Sequence, residues 1–134
     1  MSALTSIEGI GPQLAQALKA QGIGSVEKLL EAGRTRVSRM ELAAATGITE
    51  HKLLRFVNHA DLMRIKGIGG EYAELLEAAG VDSVAELAQR NADRLHARLA
   101  TTNDEKSLVR VLPAAARVQQ WIEQAQQLAR VVEH

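Results

Sequence analysis

Gly9-Ile10-Gly11-Pro12 and Gly67-Ile68-Gly69-Gly70 are the runs of this chain whose residue types and spacing can do chemistry. Glycine permits a tight turn with positive φ, and an isoleucine between two glycines anchors such a turn in apolar surroundings. A helix is expected just after each second glycine, so its opening N–H groups lack intrahelical acceptors. Those donors, with the positive end of the helix dipole, form a site for an anion such as a phosphate oxygen. Without side chains in the way, a phosphate can come close to the backbone. The same run also serves as a plain tight connection between closely packed helices.

The neighbouring charges rank the two runs. Arg64 and Lys66 flank the entry to the second, whereas Glu8 stands beside the first, where a carboxylate repels a phosphate. The second run is therefore the better phosphate site. Arg34, Arg36 and Arg39 form the densest basic cluster, with Lys52 and Arg55 further along; they read either as an auxiliary phosphate grip or as a solvated helix face. Arg90, Arg94 and Arg98 fall at i, i+4, i+8, one face of a helix if it is continuous. Glu71, Glu74 and Glu77 suit solvent exposure. His51, His59, His96 and His134 lack metal-ligand spacing and have no cysteines to assist them, so neither a metal nor a cofactor is expected. No nucleophile–base pair, phosphate-binding loop or dinucleotide fingerprint is present. The chain reads as non-catalytic, with no small-molecule substrate evident.

The glycine runs belong to a longer repeat. The segment from Ile7, IEGIGPQLAQALKAQGIGSVEKLLEAG, matches that from Ile65, IKGIGGEYAELLEAAGVDSVAELAQRN. Gly9 pairs with Gly67, Gly11 with Gly69, Ala15 with Ala73, Leu18 with Leu76, Gly22 with Gly80 and Ser25-Val26 with Ser83-Val84. Each copy leads to a later helix: one over about Thr49–Asn58, with Leu53, Phe56 and Val57 on one face, and one over about Pro113–Val132. In the latter, Val118, Trp121, Ile122, Ala125, Leu128 and Ala129 form an apolar stripe, and Pro113 suits the first turn. Phe56-Val57 corresponds to Trp121-Ile122 at a longer spacing. The added residues fall most simply in the polar stretch Thr101–Ser107, read as a loop or a loop plus helix start.

Composition sets what must hold these elements together. Hydrophobic residues make up 46% and charged residues 24%, a globular balance. Only Phe56, Tyr72 and Trp121 are aromatic, so Leu, Ala, Ile and Val fill the core, and the first two favour helix. No stretch alternates over strand length, so no sheet is expected. The expected core is Leu14, Leu18, Val26, Leu29, Leu42, Leu53, Val57, Tyr72, Leu76, Val84, Leu87, Leu95, Val118 and Ile122. The absence of a secretory pattern and of long apolar runs points to a cytoplasmic chain with no membrane partner. Sixteen Lys plus Arg balance 16 Asp plus Glu, so polyanion binding must come from local arrangement.

Both copies resemble the helix-hairpin-helix motif, in which an apolar-x-Gly-apolar-Gly turn joins two helices and Ala follows four residues after the second Gly. The whole chain resembles a bacterial family of such tandem hairpins, domain of unknown function 4332, most closely over Asn58-His59-Ala60-Asp61-Leu62-Met63-Arg64-Ile65-Lys66-Gly67-Ile68-Gly69. The resemblance implies an all-α, SAM-like fold: two tandem units, residues 1–60 and 61–134, packed as one compact helical body, the second ending in a long helix. It also implies sequence-independent contact with the DNA or RNA backbone through Gly9, Gly11, Gly67 and Gly69; on the reading of the residues themselves, Gly70 joins them and Arg64, Lys66, Arg34, Arg36 and Arg39 would add charge. DNA-binding hairpins often carry Lys or Arg two residues past the second Gly, and here Gln13 and Glu71 stand there. The alternative is a protein-interaction or scaffold module, possibly self-associating, on the same fold.

Overall fold

The computed structural model describes residues 1–134 and contains helices only. A 3-10 turn over Leu4–Ser6 precedes α1 (Pro12–Ala20), α2 (Val26–Ala32), α3 (Arg36–Thr46) and α4 (Glu50–Leu62); α5 (Gly70–Ala78), α6 (Val84–Leu87), α7 (Ala92–Lys106) and α8 (Ala115–Gln127) follow. No helix is long and apolar enough to cross a membrane.

The chain divides into two compact units. Unit 1 comprises Met1–Asp61 together with Val131–His134, and unit 2 is the continuous stretch Leu62–Arg130. Each has its own apolar interior. In unit 1, Leu4, Ile7, Leu18, Val26, Leu29, Leu53, Phe56 and Val57 are buried. In unit 2, Leu62, Ile65, Leu75, Leu76, Leu87, Leu95, Leu99, Val118, Trp121 and Ile122 belong to one buried cluster. Fully burying such a side chain contributes about 1.5–3 kcal/mol relative to leaving it exposed, which holds helices too short to persist alone. Leu14, Leu42 and Tyr72, expected in the core, are only half-buried.

The repeat is present in the backbone. Gly9 and Gly67 have φ of 96° and 97°, and Gly22 and Gly80 have 81° and 96°. Ile10 N–H donates to the Ile7 carbonyl and Ile68 N–H to the Ile65 carbonyl, both at 3.1 Å. Past α1, Ile23 N–H returns to the Leu18 carbonyl; past α5, Val81 N–H returns to that of Leu76. Ser25 Oγ accepts from Lys28 N–H to start α2, and Ser83 Oγ accepts from Glu86 N–H to start α6.

Two expectations fail at element ends. Thr101–Lys106 is not a loop: it is the last part of the 15-residue α7, which closes on Ser107 in a left-handed conformation. Thr102 is buried there, and Asn103 secures the exit, its Oδ1 accepting from Val109 N–H at 2.9 Å and its Nδ2 donating to the Val109 carbonyl at 3.1 Å. The final helix is shorter than its apolar pattern. Pro113 precedes the cap residue Ala114, and α8 ends at Gln127 with Leu128 extended. Leu128 and Ala129 are exposed, and Val132 is instead buried as part of unit 1.

Candidate nucleic-acid interface

Both glycine turns present their opening amides outward. Gly9, Gly11, Gly67 and Gly69 are exposed, whereas Ile10 and Ile68 are each only 4% exposed and pin the turns to their cores. Gly11 and Gly69 are extended cap residues whose carbonyls accept the first helical bonds, from Ala15 and Ala73 N–H at 3.0 and 2.9 Å. Neither cap supplies a side-chain acceptor. The N–H groups of Gly11, Gln13 and Leu14 at the first turn, and of Gly69, Gly70, Glu71 and Tyr72 at the second, have no acceptor within the protein. Pro12 accounts for the missing donor at the first turn. In contrast, α2, α3, α6 and α7 are all capped by Ser, Thr or Asn side chains.

An arginine and an aromatic ring back each turn, and sequence spacing did not single out the arginines for this place. A Cβ on Gly9 would lie 3.1 Å from Phe56 Cε1 and 3.3 Å from Arg55 Nη1. A Cβ on Gly67 would lie 3.1 Å from Arg117 Nη2 and 3.2 Å from Trp121 Nε1. Positive φ thus favours glycine at these positions, and an added Cβ would also be crowded. The signal was available in part: Phe56 and Trp121 are equivalent in the repeat, and Arg55 and Arg117 lie within one helical turn of them.

The second turn is the more elaborate. The Arg117 guanidinium stands 5.8 Å from the Tyr72 ring centroid and 5.9 Å from that of Trp121, distances at which ring quadrupoles attract a cation. The two rings are 5.3 Å apart and tilted. Gln124 of α8 clamps the turn, its Oε1 accepting from Lys66 N–H at 3.0 Å and its Nε2 donating to the Lys66 carbonyl at 3.4 Å. A cleft of about 760 Å³ is lined by Lys66, Gly67, Arg117, Gln120, Trp121 and Gln124. Another, of about 440 Å³, is lined by Gly67, Gly69, Gly70, Tyr72, Arg110 and Val111 among others. Tyr72 O–H donates to the Val111 carbonyl at 2.9 Å and fixes one wall of the latter.

The remaining cations divide by use. Lys66 is exposed and lines the larger cleft. Arg64 is half-buried and donates from Nη2 to the Ala129 carbonyl at 2.9 Å. Arg34 and Arg36 are exposed in unit 1, but Arg39 departs from the expected grip: it is 3% exposed, and its guanidinium donates to the carbonyls of Gly33 and Glu133. Burial pulls this guanidinium below its ordinary pKa, against which the Glu133 charge acts. Arg90, Arg94 and Arg98 do not form a free stripe. Arg90 pairs with Glu86 at 3.1 Å and donates to the Gly80 carbonyl, and Arg98 donates to that of Ala79.

A family described as Domain of unknown function (DUF4332) matches residues 8–128. No curated protein and no solved structure matches the chain.

Proposed function

The chain belongs to the DUF4332 family, and we propose that it is a non-catalytic, cytoplasmic helix-hairpin-helix module that binds the phosphate backbone of nucleic acid without sequence preference. One observation carries this reading: the unpartnered amides of Gly69, Gly70, Glu71 and Tyr72 belong to residues that line a cleft together with Arg110, next to the turn glycine Gly67 that Arg117 backs. A phosphate oxygen accepting from those amides gains the helix dipole, in a cleft whose lining includes Arg110. Lys66 and Arg110 line the flanking clefts and extend the positive character along a backbone. Gly9 and Gly11, with Arg55, supply a lesser version at the first turn.

Zero net charge makes the expected complex weak and salt-sensitive. With two to four phosphates neutralised, log affinity should fall against log salt with a slope of about −2 to −4. Fluorescence anisotropy with labelled duplex and single-stranded DNA at low salt tests this. Binding that weakens along that slope supports the reading, and no binding at tens of micromolar protein removes it. Trp121 is the only tryptophan, so its emission should respond if the second turn is the contact.

The second reading is a protein-interaction or scaffold module. It is supported by Glu8 and Glu71 at the turns and by Val37 and Met40, which are 62% and 50% exposed on α3. Light scattering that shows mass increasing with concentration, without nucleic acid, would favour it.

A further inference from the structure

The wider cleft of unit 2, about 760 Å³, is lined by donors that the protein itself leaves unused. Arg117 is held beside the Tyr72 and Trp121 rings, yet its guanidinium makes no hydrogen bond or ion pair within the protein. Arg39, Arg64, Arg90 and Arg98 each direct theirs to a backbone carbonyl. Trp121 is 1% exposed, and its indole N–H also lacks a protein acceptor, although a buried tryptophan ordinarily finds one. That nitrogen stands close to Gly67, 3.2 Å from where a Cβ would lie, and Gly67 and Trp121 both line the cleft. Gln124 commits its carboxamide to the Lys66 backbone, whereas that of Gln120 is exposed and makes no hydrogen bond in the protein. Ala114 and Ala116 add methyl groups to the wall, and no acidic residue lines it.

We propose that this cleft receives an unpaired nucleobase of the strand whose phosphate the second turn holds, so that the preferred ligand is single-stranded nucleic acid. A bare phosphate would use the donors and leave the methyl and glycine walls idle. A base uses both. Its ring nitrogens and carbonyl oxygens accept from Arg117 and the indole N–H, Gln120 can give or take a bond at its edge, and its apolar faces suit the alanine methyls. Inside a duplex those faces are stacked and the pairing edge is occupied, so only an unpaired base can enter. The two rings already order the Arg117 fork, which lowers what binding must still immobilise. Gly67 lines this cleft and also the one formed by Gly69, Gly70, Glu71 and Tyr72, so the base site adjoins the phosphate site. This inference rests on the reading of the second turn as a phosphate site and adds the rest of the nucleotide to it.

Anisotropy titrations of the full chain test it with two labelled single strands of equal length and charge, one bearing bases and one abasic throughout. Each is made with deoxyribose and with ribose; a contrast in either supports the inference, and the larger contrast identifies the strand that fits. The base-bearing strand should bind about tenfold more tightly than the abasic one, and more tightly than a duplex of the same length. Arg117→Lys keeps the charge but loses the planar fork, so the ratio between the two strands should collapse towards one while the salt slope is retained. Gln120→Ala, at an exposed position, should lower the ratio by a smaller factor. Circular dichroism checks that both variants stay helical. Equal binding of the two strands, or an undiminished ratio in both variants, would overturn the inference and leave the phosphate reading intact. Binding of neither strand would remove both.

Discussion

The two glycine turns share a backbone and differ in what surrounds it. Gly9 and Gly67 have nearly the same φ, the isoleucines that follow are equally buried, and an arginine and an aromatic ring back each glycine. A 3-10 turn of three residues leads into the first, while the 13-residue α4 leads towards the second. Pro12 removes a donor that Gly70 retains. Gln124 clamps the second turn from α8, and Arg117 sits against two rings there. The lesson is that the repeat preserves the bend, whereas the side chains around it are brought in from a later helix.

The sharpest break of that comparison is glycine replacement. Gly67→Ala and Gly9→Ala should each destabilise by about 1–3 kcal/mol, because a left-handed conformation is strained for alanine and the new Cβ is crowded. Gly69→Ala, with ordinary φ and open space around its Cβ, should stay within about 0.5 kcal/mol. Urea unfolding measures all three. Equal losses would mean that the bend, as described, is not what requires glycine.

Caps come next. Ser25→Ala and Ser83→Ala should each cost about 1 kcal/mol in denaturant midpoints, by loss of matched first-turn bonds in the two copies. A much larger loss at one would show that the copies carry unequal shares of stability. For binding, Arg117→Ala should weaken DNA affinity severalfold and reduce the magnitude of the salt slope by about 1, with a smaller effect from Arg55→Ala. The reverse order in anisotropy titrations would transfer the site to the first turn.

The smallest effect is a pH dependence confined to unit 1. The Ser2 backbone N–H donates to Glu27 Oε1 at 2.9 Å and holds that carboxyl below the ordinary carboxylate range. Its folded pKa is depressed, so its contribution is present above the unfolded value and fades as pH falls through the folded one. Glu27→Gln should flatten a slight loss of stability on the acid side. An unchanged acid limb in the variant would exclude this contact as its source.

The glycine pairs, the matched serine caps and the Phe56/Trp121 correspondence were legible in the sequence because each answers a local backbone or packing need. Arg117 was not singled out as a partner of Gly67, because fifty residues separate them and only the folded unit brings α8 to the turn. Arg39 was misread for a related reason. A cluster of arginines looks solvated in one dimension, and the carbonyl acceptors that make its burial tolerable include one from Glu133, at the far end of the chain. The polar run Thr101–Lys106 looked like a loop because its residue types are polar, whereas the contacts that hold it as helix, the burial of Thr102 and the bonds of Asn103 to Val109, appear only in the folded unit.

The division of the chain does not follow its sequence order. Residues 62–130 are contiguous and hold one buried cluster of their own. Residues 1–61 instead share their unit with residues 131–134, where the Glu133 carbonyl is the second acceptor of Arg39. The earlier-made half thus draws contacts from residues at the opposite end of the sequence, so removing residues 131–134 would leave the stretch 62–130 whole while taking from the other unit the buried Val132 and the second acceptor of Arg39.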